Sequence, residues 1–315
     1  MEARMTGNKK SAPIRYGFIG LGHLGGHLAT NLIKGGFPVT VHDLDRAAAD
    51  PHLALGASWA ESPAETAAVS EAVITCLPSP SASAAVVAGP KGILHGLAAG
   101  GTWIEMSTND QHEIARLATV AKEKGIETLE APVTGGVHRA AAGEITVLVG
   151  GGEVLFRHNL PAFEAMGSEV IHMGPLGSAS VIKVITNMLA FIHLIGAGEA
   201  LMLARRGGID LARAFAAIKA SSGNSFVFET EGQLILNGSY DIGFTMDLAC
   251  KDLGFATKMG REFGVPLDLA AMAEQTFIRA REQLGGHAWS TMVVKLLEDA
   301  LKTDLRAPGF PAALT

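Results

Sequence analysis

The segment Gly20-Leu21-Gly22-His23-Leu24-Gly25 follows a β-branched run ending at Ile19 and opens a helical stretch that continues to about Lys34. In a G-x-G-x-x-G so placed, the first glycine permits a tight turn and the second lets the backbone approach a pyrophosphate. The third allows the helix to pack closely on the sheet. The helix N-terminus adds N–H groups and positive potential, so the chemistry implied is dinucleotide binding. A glycine-rich turn with no ligand would have the same spelling, and Asp43 shifts the balance. It closes the second β run about 20 residues beyond the glycines, where a carboxylate accepts hydrogen bonds from the adenosine ribose of NAD. Asp43 could also cap the next helix, sharing that work with Asp45. Leu44 rather than arginine follows it, and only Arg46 offers a nearby cation, so NAD is expected over NADP. His23 and His27 stand four apart on one helix, a metal-compatible spacing, but no third ligand of suitable type is evident and no metal is expected.

A second set of residues lies far along the chain. Lys183 and Asn187 are four positions apart in a long helical stretch, so their side chains project from one face. Taken alone, Lys183 reads as a lysine snorkelling its charge out of an apolar helix, and Asn187 as a helix residue bonded across an interface. Lys251-Asp252 reads as an ordinary ion pair at a helix start, and Thr134-Gly135-Gly136 as a turn.

From Arg15 to about Met173, short β-branched runs alternate with amphipathic stretches, as in parallel strands joined by crossover helices. Strands are expected at Arg15 to Ile19, Val39 to His42, Ala72 to Leu77, Thr102 to Met106, Glu127 to Glu130, Ile145 to Val149 and Glu169 to His172. Past Gly174-Pro175-Leu176-Gly177, alanine, leucine, methionine and paired charges dominate, and Ser178 to Arg206 keeps helical periodicity throughout. The expected fold class is α/β: a Rossmann-type, doubly wound, mostly parallel sheet over residues 13–177, then an all-helical domain over 178–315, joined by one long helix. Residues 1–12 read as a flexible tail.

With 48% hydrophobic and 18% charged residues in 315, the chain has enough apolar surface for a sizeable interior. A net charge of -6 with scattered Lys and Arg argues against nucleic acid or an anionic membrane as the main partner and leaves a small metabolite. Ile185 to Ala204 is apolar enough to raise the question of a membrane span, but Asn187, His193 and Glu199 interrupt it, which suits a buried helix between domains. Two distant cysteines, Cys76 and Cys250, suggest no disulfide framework and a cytoplasmic home.

The ordered set of motifs resembles the β-hydroxyacid dehydrogenase family, of the 3-hydroxyisobutyrate dehydrogenase and tartronate semialdehyde reductase type. Its marks are Gly20 to Gly25, Thr75-Cys76-Leu77-Pro78, Glu105-Met106-Ser107-Thr108 and Ala131-Pro132-Val133-Thr134-Gly135-Gly136. In the helical half they are Gly174 to Gly177 leading to Lys183 and Asn187, and Phe244 through Lys251-Asp252-Leu253. The resemblance implies an NAD-dependent oxidoreductase that interconverts a small β-hydroxyacid and its semialdehyde. It places Leu77, Pro78 and Thr108 along the cofactor, Lys251 near cofactor and substrate together, and Phe244 and Asp252 at the substrate. Thr134, Gly135 and Gly136 would hold the substrate carboxylate, a role for which glycine N–H groups beside a hydroxyl are suited. Lys183 would be the general acid and base, its pKa depressed by burial and by Lys251, with Asn187 orienting the reacting oxygen.

This chain departs from the family pattern in carrying Thr134 where serine is common and Met188 where a second asparagine is common. His138 and Arg139 are less familiar; Arg139 either supplies a second anion contact or is a solvated surface residue. A decarboxylating relative would need a histidine motif that Ile185-Thr186-Asn187-Met188 does not match, and Lys183 weighs against an imine reductase. The remaining alternative is a non-catalytic scaffold of the same fold. Phe226, Phe228, Ile235 and Leu236 are expected to face a second subunit in a homodimer or homotetramer.

Overall fold

The computed structural model describes residues 13–314, so the tail expected over residues 1–12 lies outside the described residues. Nine strands form one sheet: β1 (Tyr16–Ile19), β2 (Val39–His42), β3 (Ser58–Trp59), β4 (Ala72–Thr75), β5 (Thr102–Glu105), β6 (Glu127–Glu130), β7 (Val133–Thr134), β8 (Ile145–Gly150) and β9 (Gly167–Gly174). Their order is β3-β2-β1-β4-β5-β6-β8-β7, with β9 paired to β8. The β1–β6 pairs are parallel, β8 runs antiparallel to β6 and β7, and β9 is parallel to β8. β3 and β7, two residues each, were not expected from the sequence. The order reverses between β1 and β4, which opens a crevice at the carboxyl ends of those strands, where ligands bind in such sheets.

The crossover helices are α1 (Gly25–Lys34), α2 (Asp50–Ala54), α3 (Pro63–Ala68), α4 (Pro80–Ala88), α5 (Gln111–Glu123), α6 (Val137–Ala142) and α7 (Glu153–Met166). Ser62, Ser79 and Asp110 cap α3, α4 and α5 by accepting backbone N–H groups, and proline occupies the first turn of α3 and α4. One sheet face packs Phe18, Val41 and Ile74 with Leu28, Leu32 and Phe163; the other packs Val73 and Trp103 with Val87, Ile114 and Leu117. This is the double winding read from the sequence.

The helical half consists of α8 (Ser178–Arg206), α9 (Leu211–Lys219), α10 (Phe226–Asn237), α11 (Met246–Phe263), α12 (Asp268–Leu284) and α13 (Lys295–Leu301). By length and hydropathy α8 could cross a bilayer, with a mean hydropathy of 1.7 in its most apolar window. Here it contacts α9 to α13 and, near its start, β7, β8 and β9. The second-subunit expectation is corrected for three of its four residues: Phe228, Ile235 and Leu236 are buried in this chain's own core with Phe191, Phe215, Leu253 and Phe277. Only Phe226 is exposed, at 53%. Phe228, Ile235 and Leu236 recur on one helical face, and that face is covered from within.

Glu130, at the end of β6, joins the two halves. Its Oε1 accepts the N–H groups of Gly177 and Ala179, each at 2.7 Å, and its Oε2 accepts the Ser180 N–H at 3.1 Å and the Ser180 hydroxyl. Otherwise-orphaned amides at the start of α8 are thus satisfied by a carboxylate from the sheet, the sign the helix dipole favours. Gly150 leaves it room, since a Cβ there would lie 2.2 Å from Oε1. Glu130→Ala should lower stability by about 2–3 kcal/mol, because buried donors lose their acceptor. Urea denaturation measures the loss, and Glu130→Gln, which keeps one carbonyl oxygen, should recover part of it.

Candidate active site

The glycine loop separates into what the fold requires and what it leaves open. A Cβ on Gly20 would meet the Cys76 carbonyl oxygen at 2.3 Å, and one on Gly25 would meet the Gly20 oxygen at 2.1 Å. Gly20 also has φ +99°. A Cβ on Gly22 would meet nothing within 4 Å. Two glycines are therefore demanded by the chain's own packing. The third faces open space, as a position approached by a pyrophosphate must.

Asp43 holds this loop. Its Oδ2 accepts the Leu21 N–H at 2.6 Å and its Oδ1 accepts the Asp45 N–H at 2.9 Å, leaving lone pairs for ribose hydroxyls. The capping role falls to Asp45, whose side chain accepts the Ala47 N–H at 3.0 Å. Leu24 precedes α1 without a side-chain cap. Arg46 is engaged elsewhere: it pairs with Asp50 at 2.9 Å and lies over the Trp59 ring at 4.7 Å. The His23 ring meets Trp289 of the helical half edge to face, with centroids 5.9 Å apart, a contact across the crevice that the sequence did not reveal.

The next loops depend on a buried carboxylate, Glu105, whose motif the sequence showed without its structural role. Glu105, fully buried at the end of β5, accepts the Ser107 N–H (2.9 Å), the Ser107 hydroxyl (2.5 Å) and the Thr75 hydroxyl (3.1 Å). Ser107 Oγ in turn accepts the Leu77 N–H at 2.7 Å, and Trp103 Nε1 donates to Thr75 Oγ1 at 2.9 Å. Burial pushes the Glu105 carboxyl above its usual range while the Ser107 and Thr75 bonds oppose it. The network fixes Leu77-Pro78 and Ser107-Thr108 beside each other at the carboxyl ends of β4 and β5.

Lys183 and Asn187, one turn apart on α8, are 8% and 9% exposed. Lys183 Nζ donates to Asn187 Oδ1 at 2.7 Å, and Asn187 Nδ2 donates to Asp252 Oδ2 at 2.6 Å. Asp252, on α11 and fully buried, lies 2.8 Å through Oδ1 from Lys251 Nζ, an ion-pair contact without the alignment of a directed hydrogen bond. Lys251 Nζ also donates to the Thr108 carbonyl at 2.9 Å, which ties α11 to the sheet half. Burial lowers the Lys183 pKa to about 8; Asp252 pulls it up and Lys251 pushes it down. The chain Lys183-Asn187-Asp252-Lys251-Thr108 is continuous, and none of it has the character of an exposed surface pair.

Thr134, Gly135 and Gly136 lie at the end of β7, which packs against α8. Gly135 and Gly136 have φ of +127° and +91°, conformations suited to glycine. Among the described residues no hydrogen bond links these three, or Phe244, to the lysine cluster. The links on this side are packing contacts between neighbouring elements. A Cβ on Gly243 would stand 3.3 Å from Val137, just after the glycine pair. Phe244 tilts against Phe191 of α8 with centroids 5.9 Å apart, and its carbonyl accepts the Ser290 N–H at 2.8 Å.

A doubly wound sheet with an open-faced glycine loop, joined to a helical half that carries a buried, pKa-lowered lysine to the crevice, defines a nicotinamide-dinucleotide-dependent oxidoreductase. Residues 15–174 match the family model described as the NAD binding domain of 6-phosphogluconate dehydrogenase. Residues 177–297 match that described as NAD-binding of NADP-dependent 3-hydroxyisobutyrate dehydrogenase. The chain is 36% identical to 2-(hydroxymethyl)glutarate dehydrogenase of Eubacterium barkeri, over 90% of its own length and 95% of that protein's. It is 33% identical to the NAD-dependent L-serine dehydrogenase of Pseudomonas aeruginosa, over 81% and 88% of the two chains. The solved 3-hydroxyisobutyrate dehydrogenase of Salmonella typhimurium superposes with a TM-score of 0.83 at 30% identity, over 90% of this chain and 99% of that one. This chain belongs to the β-hydroxyacid dehydrogenase family and is an NAD(P)-dependent dehydrogenase acting on CH–OH groups.

Because Gly22 has no protein neighbour at its Cβ position, Gly22→Val should leave the melting temperature of the ligand-free protein within about 1 °C. NAD affinity, read by titration calorimetry, should fall by about tenfold or more as the side chain occupies the pyrophosphate approach.

Proposed function

We propose that the chain oxidises a small β-hydroxyacid to its semialdehyde, or reduces the semialdehyde, with Lys183 as the general acid and base. The observation that carries this reading is the buried Lys183 ammonium, bonded to Asn187 at 2.7 Å and poised near neutrality with a pKa of about 8. Bound NAD supplies the hydride acceptor in oxidation, and its reduced form the donor in reduction. In oxidation, neutral Lys183 takes the hydroxyl proton as the carbinol carbon loses hydride; in reduction, protonated Lys183 returns a proton to the forming alkoxide. Asn187, held by Asp252, orients the oxygen. Thr134, Gly135 and Gly136 receive the substrate carboxylate, while Phe244 closes the apolar side. Lys251 spans the interval between Thr108, at the nicotinamide end, and Asp252.

Residues 13–177 then serve the cofactor, with Gly20 to Gly25, Asp43, Leu77, Pro78 and Thr108 along it, and residues 178–315 complete the substrate site and dimerise. NAD is favoured over NADP because Asp43 would face a 2′-phosphate while Arg46 is tied to Asp50 and Trp59. A homodimer or homotetramer fits the apolar side chains that α8 leaves uncovered, Leu189 at 44% and Leu203 at 76% exposure. A cytoplasmic site fits two unpaired, half-buried cysteines, and the net charge of -6 favours a small metabolite over nucleic acid or membrane. The names of relatives suggest 3-hydroxyisobutyrate, L-serine and 2-(hydroxymethyl)glutarate as the first acids to assay.

Lys183→Met should lower kcat by about 10²- to 10⁴-fold, the usual contribution of a positioned acid or base, while NAD still binds. Near-normal turnover would sink the assignment. In the wild type, kcat/KM for oxidation should rise with pH through about 8 as Lys183 loses its proton, and kcat/KM for reduction should fall through the same region.

A further inference from the structure

We propose that Arg139 provides a second anion subsite beside the glycine pair, so that the preferred substrate is a β-hydroxyacid carrying a second carboxylate. The proposal rests on the reading of Thr134, Gly135 and Gly136 as the cradle for the first carboxylate. Arg139 lies on α6, one turn past Gly135, and folds back over the loop rather than out into solvent. A Cβ on Gly135 would stand 3.2 Å from Arg139 Cδ and 3.6 Å from Nη1. His138 closes over the neighbouring residue in the same way: a Cβ on Gly136 would be 3.0 Å from its Cε1 and Nδ1. The His138 ring stacks on Phe226 of α10, with centroids 6.3 Å apart and planes 15° from parallel. The loop is therefore flanked by the Arg139 and His138 side chains, the second braced against the helical half.

Among the described residues the Arg139 guanidinium makes no hydrogen bond or ion pair with the protein; Glu144, whose charge acts on His138, does not reach it as a salt bridge. Five N–H donors on a half-buried side chain are thus left for water or a ligand. The other cations of the crevice are committed, Lys183 to Asn187, and Lys251 to Asp252 and the Thr108 carbonyl. The Thr134 hydroxyl and two glycine N–H groups are donors enough for the two oxygens of one carboxylate. A planar guanidinium next to them suits another carboxylate, which it can bind through two parallel hydrogen bonds.

Steady-state kinetics with NAD tests this with 2-(hydroxymethyl)glutarate, which has two carboxylates, against 3-hydroxyisobutyrate, which has one. The wild type should favour the dicarboxylate in kcat/KM. In Arg139→Ala and Arg139→Gln that preference should fall by about 10- to 100-fold, the loss typical of a charge-assisted contact, and should appear in KM for the dicarboxylate more than in kcat. Arg139→Lys should retain part of it. A wild type that favours the monocarboxylate, or a preference ratio the variants leave unmoved, whether both acids weaken together or neither does, would overturn the second subsite alone. Turnover of neither acid by the wild type would overturn the second subsite together with the reading of Thr134, Gly135 and Gly136 as the cradle for the carboxylate of such an acid.

Discussion

The start of α8 is fixed by one buried carboxylate, and the geometry of the crevice follows from that. Glu130 takes four donors from Gly177, Ala179 and Ser180, and Lys183 stands three residues further on, about 4.5 Å along the helix axis. The same β6 end leads within four residues to Thr134. One side chain thus sets the distance between the loop proposed for the substrate carboxylate and the ammonium proposed for its hydroxyl. The arrangement is rigid because every partner of Glu130 is backbone or a short serine.

The second constraint is electrostatic. A lysine as buried as Lys183 would lose much of its affinity for a proton, and a carboxylate paired to it directly would restore that affinity. Asp252 acts on Lys183 through Asn187 and is itself engaged by Lys251. Its pull is therefore shared, and Lys251 adds a push of opposite sense. Burial, a shared counter-charge and a second cation together hold the ammonium near neutrality, where a proton can move in either direction.

The parts of this design that follow a period or a fixed spacing were legible in the sequence. The alternating β and helical stretches gave the double winding. The glycine triplet with Asp43 marked a loop that Asp43 does hold, through the Leu21 N–H, and Lys183 with Asn187 gave a shared helical face. The resemblance to a family, more than spacing, singled out Lys251, Asp252 and Thr108. Glu130 and Trp289 escaped because their partners are distant in the chain: Glu130 reaches 47 to 50 positions ahead, and a carboxylate closing a strand looks like the start of a loop. Glu105 stood in a recognised motif, but its burial and its bond to Thr75, 30 positions back, were not legible there. β3 and β7 are too short to show any alternation. Phe228, Ile235 and Leu236 were misread as an outer face because periodicity shows that a helix has an apolar side without showing what covers it.

The contact between His23 and Trp289 places an indole at the mouth of the crevice, touching the glycine loop. The other two tryptophans are remote from that seam: Trp103 is sealed beneath the sheet, and Trp59 sits at the far strand edge beside Arg46. Any hinge motion that parts the two halves therefore alters the surroundings of one tryptophan and leaves two as internal standards. The molecule carries its own optical gauge of whether the cleft is open or shut.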